Sequence, residues 1–80
     1  REKIEIYRNP TDNIINIKFS KNKLFQHVYL TNLFGTNLIE KTIYGENAIN
    51  LDVSILPTGI YFLNFINNKT IHVEKVFISK

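Results

Sequence analysis

The sequence predicts an all-β fold, a small antiparallel β-sandwich of about seven short strands with essentially no helix. Two observations carry this. Apolar residues alternate with polar ones in short runs that recur roughly every 8–12 residues, with turn-forming residues between them. Nowhere does an apolar period of about 3.6 residues persist for three turns, as an amphipathic helix requires. The sandwich is of immunoglobulin-like architecture, without the cysteine pair and tryptophan that mark immunoglobulin domains, since the chain has neither residue type.

Taken in order, Ile4 and Ile6 alternate with polar neighbours, and Asn9-Pro10-Thr11-Asp12-Asn13 then turns the chain. Ile15, Ile17 and Phe19 alternate with Asn16, Lys18 and Ser20, which gives a half-buried strand. Lys21-Asn22-Lys23 makes the next turn. Val28 and Leu30 form an inward face, with His27 and Tyr29 on the other side. Asn32-Leu33-Phe34-Gly35 closes a hairpin in which Gly35 takes the left-handed conformation. The return strand runs from Leu38 to Ile43.

Tyr44-Gly45-Glu46-Asn47 turns again, and Ile49, Leu51 and Val53 alternate with Asn50 and Asp52. A corner follows at Leu56-Pro57-Thr58-Gly59. Pro57 fixes its own φ, and Gly59 is expected at positive φ, so a β-branched residue in its place would cost about 1–3 kcal/mol. The corner launches Ile60 to Ile66, an apolar run rich in aromatic and β-branched residues, predicted as a central strand buried on both faces. Asn67-Asn68-Lys69 links to the last strand, its asparagines suited to left-handed turn positions. In that strand the inward parity changes from Ile71 and Val73 to Val76 and Ile78, and a β-bulge at Glu74-Lys75 would restore the register.

Eighty residues make one domain, 1–80, near the lower size limit for folding without staples. The chain has no methionine and opens Arg1-Glu2-Lys3, so it reads as a piece of a larger protein. The absence of cysteine excludes disulfides and thiolate metal sites. The net charge is +3, but the lysines are scattered without interleaved aromatics, which argues against nucleic acid as a partner. The longest apolar run is far short of a membrane-spanning helix, so no membrane insertion is expected.

Catalysis would need a nucleophile, a base and an orienting group converging on a pocket. The candidates are Ser20, Ser54 and Ser79, His27 and His72, and Asp12 and Asp52. None has the context of a nucleophile elbow, and a sandwich this small has little room for a cleft, so these residues read as solvated strand positions. The histidines lie on separate strands with no third ligand at useful spacing, and turn aspartates ordinarily bond their own backbone. No enzyme activity and no cofactor are expected. Asn68-Lys69-Thr70 matches a glycosylation sequon but also suits a plain turn. Tyr7, Tyr29 and Tyr44 offer a sugar-stacking surface or, more simply, cross-strand packing.

Four stretches stand in an order and spacing that resemble a known family: "IEIYRNPTDNIINIKF", "VYLTNLFGTNLI", "LDVSILPTGIYFLNF" and "VEKVFISK". Together they look like the type A C-terminal sorting domain of the type IX secretion system of Bacteroidetes, over Ile4 to Lys80. The family's first box reads Tyr-Pro-Asn-Pro; Tyr7, Asn9 and Pro10 match, and Arg8 replaces the first proline. Its second has an Asp-Leu-x-Gly turn, in which Asn32 takes the Asp position and Leu33 and Gly35 match. The third, Leu-Pro-x-Gly-(Ile/Val)-Tyr, is complete at Leu56, Pro57, Gly59, Ile60 and Tyr61. Lys75 and Lys80 supply the basic end.

The resemblance implies a cargo tag. Such a domain follows a cargo that reaches the periplasm by a separate N-terminal signal, and then directs passage across the outer membrane. Its implied partners are an outer-membrane translocon, a shuttle protein and a sortase-like peptidase that removes it and attaches the cargo to surface lipopolysaccharide. The product would be secreted or held at the cell surface. The lack of cysteine fits folding in an oxidising periplasm. Lys75 and Lys80 on the final strand are either a handle for an acidic or backbone-rich groove, or edge-strand protection. The other readings are a structural or adhesive fibronectin-like spacer and a small carbohydrate-binding module.

Overall fold

A computed structural model describes residues 4–8, 13–19 and 25–80. The described residues form seven strands: β1 (Ile4–Arg8), β2 (Ile14–Phe19), β3 (His27–Thr31), β4 (Asn37–Thr42), β5 (Ala48–Asp52), β6 (Gly59–Ile66) and β7 (Ile71–Ile78). They make two antiparallel sheets, one ordered β1-β2-β5 and the other β4-β3-β6-β7. Hairpins join β1 to β2, β3 to β4 and β6 to β7, while the other connections cross between sheets. This is the predicted immunoglobulin-like sandwich. The expected turns at residues 9–12 and 21–23 lie outside the described residues.

Alternation places the core. Ile15, Ile17 and Phe19 of β2 and Ile49 and Leu51 of β5 face Val28 and Leu30 of β3 and Leu63 and Phe65 of β6, all buried. Ile4 and Ile6 pack against this cluster from β1. Phe65 anchors it, with the Phe19 ring edge-on at 6.1 Å and the Phe25 ring tilted at 5.7 Å. Burying a side chain of this size is worth about 1.5–3 kcal/mol, so the interleaved inner faces hold the two sheets together.

Three expectations about the strands are corrected. β6 is buried on one face only: Tyr61, Leu63 and Phe65 point inward, whereas Ile60 is 40% exposed and Phe62, Asn64 and Ile66 are half-buried on the outer face. Antiparallel sheets leave one side to solvent even at inner strands. β7 carries no bulge. It pairs with β6 without a break, from Gly59 opposite Ile78 to Ile66 opposite Ile71.

Its inward residues are therefore His72, Glu74, Val76 and Ile78, while Ile71 and Val73, expected inside, are 67% and 50% exposed. The His72 ring covers Phe25 and Phe65 at 6.2 and 6.1 Å, and its Nε2 pairs with a Glu74 carboxylate oxygen at 2.5 Å. Two amphipathic side chains thus close the margin of the core where apolar ones were expected. The register shift falls elsewhere, between Leu30 and Thr31 in the β3–β4 pair.

The third correction concerns turn asparagines. Among the described residues only Gly35 (φ 82°) and Gly45 (φ 85°) have positive φ. Asn67 closes the β6–β7 turn through its side chain instead, its Oδ1 accepting from the Lys69 and Thr70 amides at 2.7 Å each. That is the local side-chain-to-backbone bonding at which asparagine excels.

Candidate functional site: the motif end of the sandwich

Strand pairing fixes which turns share an end. Thr31 at the exit of β3 lies opposite Phe62 near the entry of β6, Ile78 opposite Gly59, and Ile14 opposite Asp52. The β3–β4 turn, the β5–β6 corner, the end of β1 and the chain's last residues therefore gather at one end of the sandwich. That end collects Asn32, Gly35, Leu56, Pro57, Gly59, Tyr61 and Lys80. Asn9 and Pro10 lie outside the described residues. Tyr7 sits near this end but on the outer face of β1, half exposed, and Lys75 lies exposed midway along β7, opposite Phe62.

The β5–β6 corner is built around Tyr61. Its ring is buried and its hydroxyl donates to the Pro57 carbonyl at 2.6 Å. This hook, from the start of a strand back onto the chain four residues earlier, is the tyrosine corner of immunoglobulin-like sandwiches. Leu56 is buried beneath the corner, and its amide closes a turn onto the Val53 carbonyl at 3.0 Å. Gly59 does not take the expected positive φ. A Cβ at this position would meet the Tyr61 ring at 3.7 Å and its hydroxyl at 3.9 Å, which is ordinary contact. The ring, not an unusual backbone angle, makes the corner.

The β3–β4 turn is held by the opposite means. Asn32 Oδ1 accepts from the Phe34 amide at 2.9 Å and the Thr36 amide at 3.0 Å, and the Gly35 amide donates to the Asn32 carbonyl at 3.1 Å. An asparagine oxygen does here what an aspartate oxygen would do, so Asn32 preserves the turn. Gly35 supplies the left-handed residue, with nothing within 4 Å of where a Cβ would stand.

The chain's last residues are tied into this end. The Lys80 amide donates to Thr58 Oγ1 at 3.0 Å. Its ammonium donates to Asn13 Oδ1 at 3.1 Å, the Val53 carbonyl at 2.9 Å and the Ser54 carbonyl at 3.1 Å. Lys80 therefore does not project as a free handle; three acceptors draw it inward because the β5–β6 loop turns its carbonyls toward it. Asp52 Oδ1 accepts from the Ser54 amide at 2.9 Å, and this bond, helped by nearby Lys80, holds its carboxyl below the usual range. Arg8 Nη2 donates to the Ser79 carbonyl at 2.7 Å, so the residue that replaces a motif proline clips β1 to the end of β7. A hollow of about 300 Å³ lies beside it, lined by Ile6, Ile15, Val76 and Phe77 among others.

Ser20 and Asp12 lie outside the described residues, and among those described the other candidates do not converge. Ser54 and Ser79 stand at the motif end, whereas His27 and His72 stand toward the other end, on opposite faces of their sheet. Among the described residues no group of three histidine, cysteine or acidic side chains is placed to hold a metal. Tyr7 and Tyr29 lie on the outer faces of different sheets, and Tyr44 is at the far end, so they share no platform. The Tyr7 hydroxyl donates to Glu5 at 2.6 Å, which raises its pKa above the ordinary tyrosine value. Asn68 of the sequon is exposed in the β6–β7 turn.

Two features escaped the sequence. A tyrosine four residues after a proline at a strand entry is the available signal for the hook. The Arg8–Ser79 clip spans 71 residues and leaves no local trace.

In comparison with known proteins, residues 5–79 are similar throughout to a family described as the secretion system C-terminal sorting domain. No curated protein matches the chain.

Proposed function

Because this chain belongs to the family of secretion system C-terminal sorting domains, we propose that it is the signal by which a cargo protein crosses the outer membrane through the type IX system. The cargo's own activity would reside in sequence upstream of this domain. The signal's partners are an outer-membrane translocon, a shuttle protein and a sortase-like peptidase, which removes the domain and attaches the cargo to surface lipopolysaccharide. The observation that carries this reading is the reach of the family match, 75 of the 80 residues from 5 to 79. It takes in every strand but the first residue of β1, so the entire sandwich belongs to the signal. A signal is also what the geometry suits: the two described motif turns share one end, and among the described residues the serines and histidines do not meet.

The experiment is a fusion of residues 1–80 behind a periplasm-targeted fluorescent protein, in a bacterium with this secretion system. Fluorescence should appear outside the cell or on its surface. A reporter that stays in the periplasm behind a folded domain would favour the fibronectin-like spacer, which the same sandwich architecture also suits.

A further inference from the structure

Each sheet ends in an edge strand on the same side of the sandwich. β7 closes the four-stranded sheet and β1 the three-stranded one, and Arg8 Nη2 on the Ser79 carbonyl joins them. Directly opposed residues share a face, so Ile6 and Arg8 turn inward with Ile17 and Ile15. The hollow of about 300 Å³ beside Arg8 opens between the two strands, with Ile6, Ile15, Val76 and Phe77 as its apolar lining.

Two things at this opening are unfinished. The first is an edge. β7 is eight residues long, contains no proline and pairs with β6 without a break, and among the described residues no strand pairs with its other side. Sheets ordinarily blunt such an edge with bulges, prolines or charges, because its free amides and carbonyls accept another strand. The opposite edge, β4, is blunted: the β3–β4 register shifts between Leu30 and Thr31, and Lys41 Nζ reaches the Asn50 carbonyl at 3.3 Å. β7 carries one exposed charge, Lys75, and its inward acid Glu74 is paired with His72.

The second is a cation. Arg8 is half-buried and lines the hollow, and its Nη1 is buried with no hydrogen-bond partner among the described residues. Buried polar atoms are nearly always partnered, and a charged one left unpaired costs more than a neutral one. Lys75 stands at the same hollow, and Glu74, the acid beside it, is already engaged. The opening is therefore matched to a negative charge.

A strand laid along β7 meets both needs. Its backbone takes up the free edge, and its alternate side chains turn into the opening. Ile6 and Arg8 stand two residues apart on β1, about 6.6 Å along the strand, and side chains on one face of an added strand have the same spacing. An acid over Arg8 thus sets an aliphatic residue over Ile6 and Val76. A small turn of the half-buried Arg8 side chain toward the hollow brings Nη1 to the carboxylate. A second copy of this chain would offer its own β7, whose inward acid is held by His72, so it does not supply the charge. We propose that the β7 edge binds an extended peptide segment of another protein, whose acidic and aliphatic residues, two positions apart, seat in the hollow between β7 and β1. The site goes beyond the sorting reading and does not depend on it.

The test is an NMR titration of the purified, isotope-labelled chain with acetyl-Thr-Val-Thr-Asp-Thr-Val-Thr-amide. Its valines and aspartate share one face and its threonines the other. The same peptide with asparagine for aspartate is the comparison, and it leaves the protein unchanged. The aspartate peptide should shift the amides of β7, and protect them from exchange, but not those of β4. It should bind at least about tenfold more tightly than the asparagine peptide, as a charge-assisted bond requires. In Arg8→Gln that difference should vanish; if this variant unfolds, the two peptides on the wild-type chain decide alone.

An aspartate peptide that does not bind at β7 at millimolar concentration overturns the site. So does equal affinity of the two peptides, or an unchanged difference in Arg8→Gln, since each separates the acid from Arg8. β7 amides that shift with protein concentration alone, together with a dimer in sedimentation, would make a second copy the occupant and overturn the peptide. None of these outcomes touches export of the reporter fusion, which tests the sorting reading by itself.

Discussion

The β3–β4 turn and the β5–β6 corner carry the same punctuation, a glycine within a short turn sequence, and use it in opposite ways. Gly35 is needed for its backbone: its φ is 82° and the space around it is open. Gly59 has no such angle and lies over the ring of Tyr61, whose hydroxyl reaches back to Pro57. One turn is closed by local backbone conformation and an asparagine side chain. The other is closed by a buried aromatic that belongs equally to the core. The lesson is that a turn glycine by itself does not reveal whether chain geometry or side-chain packing holds the turn.

The largest effect that separates the two regions is at Tyr61. Tyr61→Ala should cost about 3–5 kcal/mol, the usual price of deleting a buried aromatic, and in an 80-residue domain that removes most of the folded population. Tyr61→Phe keeps the ring and loses only the bond to Pro57, so it should cost about 0.5–1.5 kcal/mol. Urea unfolding of both variants measures the pair. Equal losses would mean that the hydroxyl, not the ring, makes the corner.

Next comes Gly35→Ala. The added methyl meets nothing within 4 Å, so the whole cost is that of holding an L-residue in the left-handed region, about 1–2 kcal/mol. Gly35→Asn should recover part of it, because asparagine tolerates that conformation best among the other residues. A Gly35→Ala protein that melts with the wild type would remove the backbone argument for this turn.

A third contrast lies between two lysines that look alike in the sequence. Lys80→Ala breaks three bonds from one ammonium that bind the chain end to the β5–β6 loop, and should cost about 1 kcal/mol after allowance for its exposure. Lys75→Ala, on the open outer face, should stay within about 0.5 kcal/mol. Thermal unfolding of the two single variants decides it, and equal melting temperatures would show that the Lys80 contacts contribute nothing to stability.

How much was legible follows from where the information lies. In β2 and β5 the alternation is legible, because Ile15, Ile17, Phe19, Ile49 and Leu51 all turn to the core, and only Ile14 and Ala48 at the strand starts are apolar and exposed. The same rule failed in β7. There His72 and Glu74 take the inner positions at the margin of the core, and Ile71 and Val73 take the outer ones, so apolarity and burial part company. The motif residues of two turns were legible as turns; their gathering at one end depends on strand order, which spacing alone does not fix. The exposure of Leu33, Phe34 and Ile55 was not legible, because the sequence marks a turn without showing which of its side chains reach the solvent. Lys80 gave no sign of its partners, which lie 26 to 67 residues away in the chain.

The smallest effect sharpens the comparison most. Gly59→Ala adds a methyl at 3.7 Å from the Tyr61 ring, an ordinary contact distance, at a residue whose φ is not positive. The variant gains a contact on a buried aromatic and loses conformational freedom in the unfolded chain, and each favours the folded state. Replacing glycine by alanine where the native backbone accepts it stabilises by about 0.4–1 kcal/mol. Against that stands the neighbourhood of Pro57 and the pairing of Gly59 with Ile78, where the methyl must share space with the hook. The expected change is therefore within about 0.5 kcal/mol of zero and opposite in character to Gly35→Ala. Side-by-side urea unfolding of the two glycine variants reads it directly. A loss at Gly59 as large as that at Gly35 would mean that the corner, too, depends on a backbone only glycine can adopt, and the distinction between the two turns would fall.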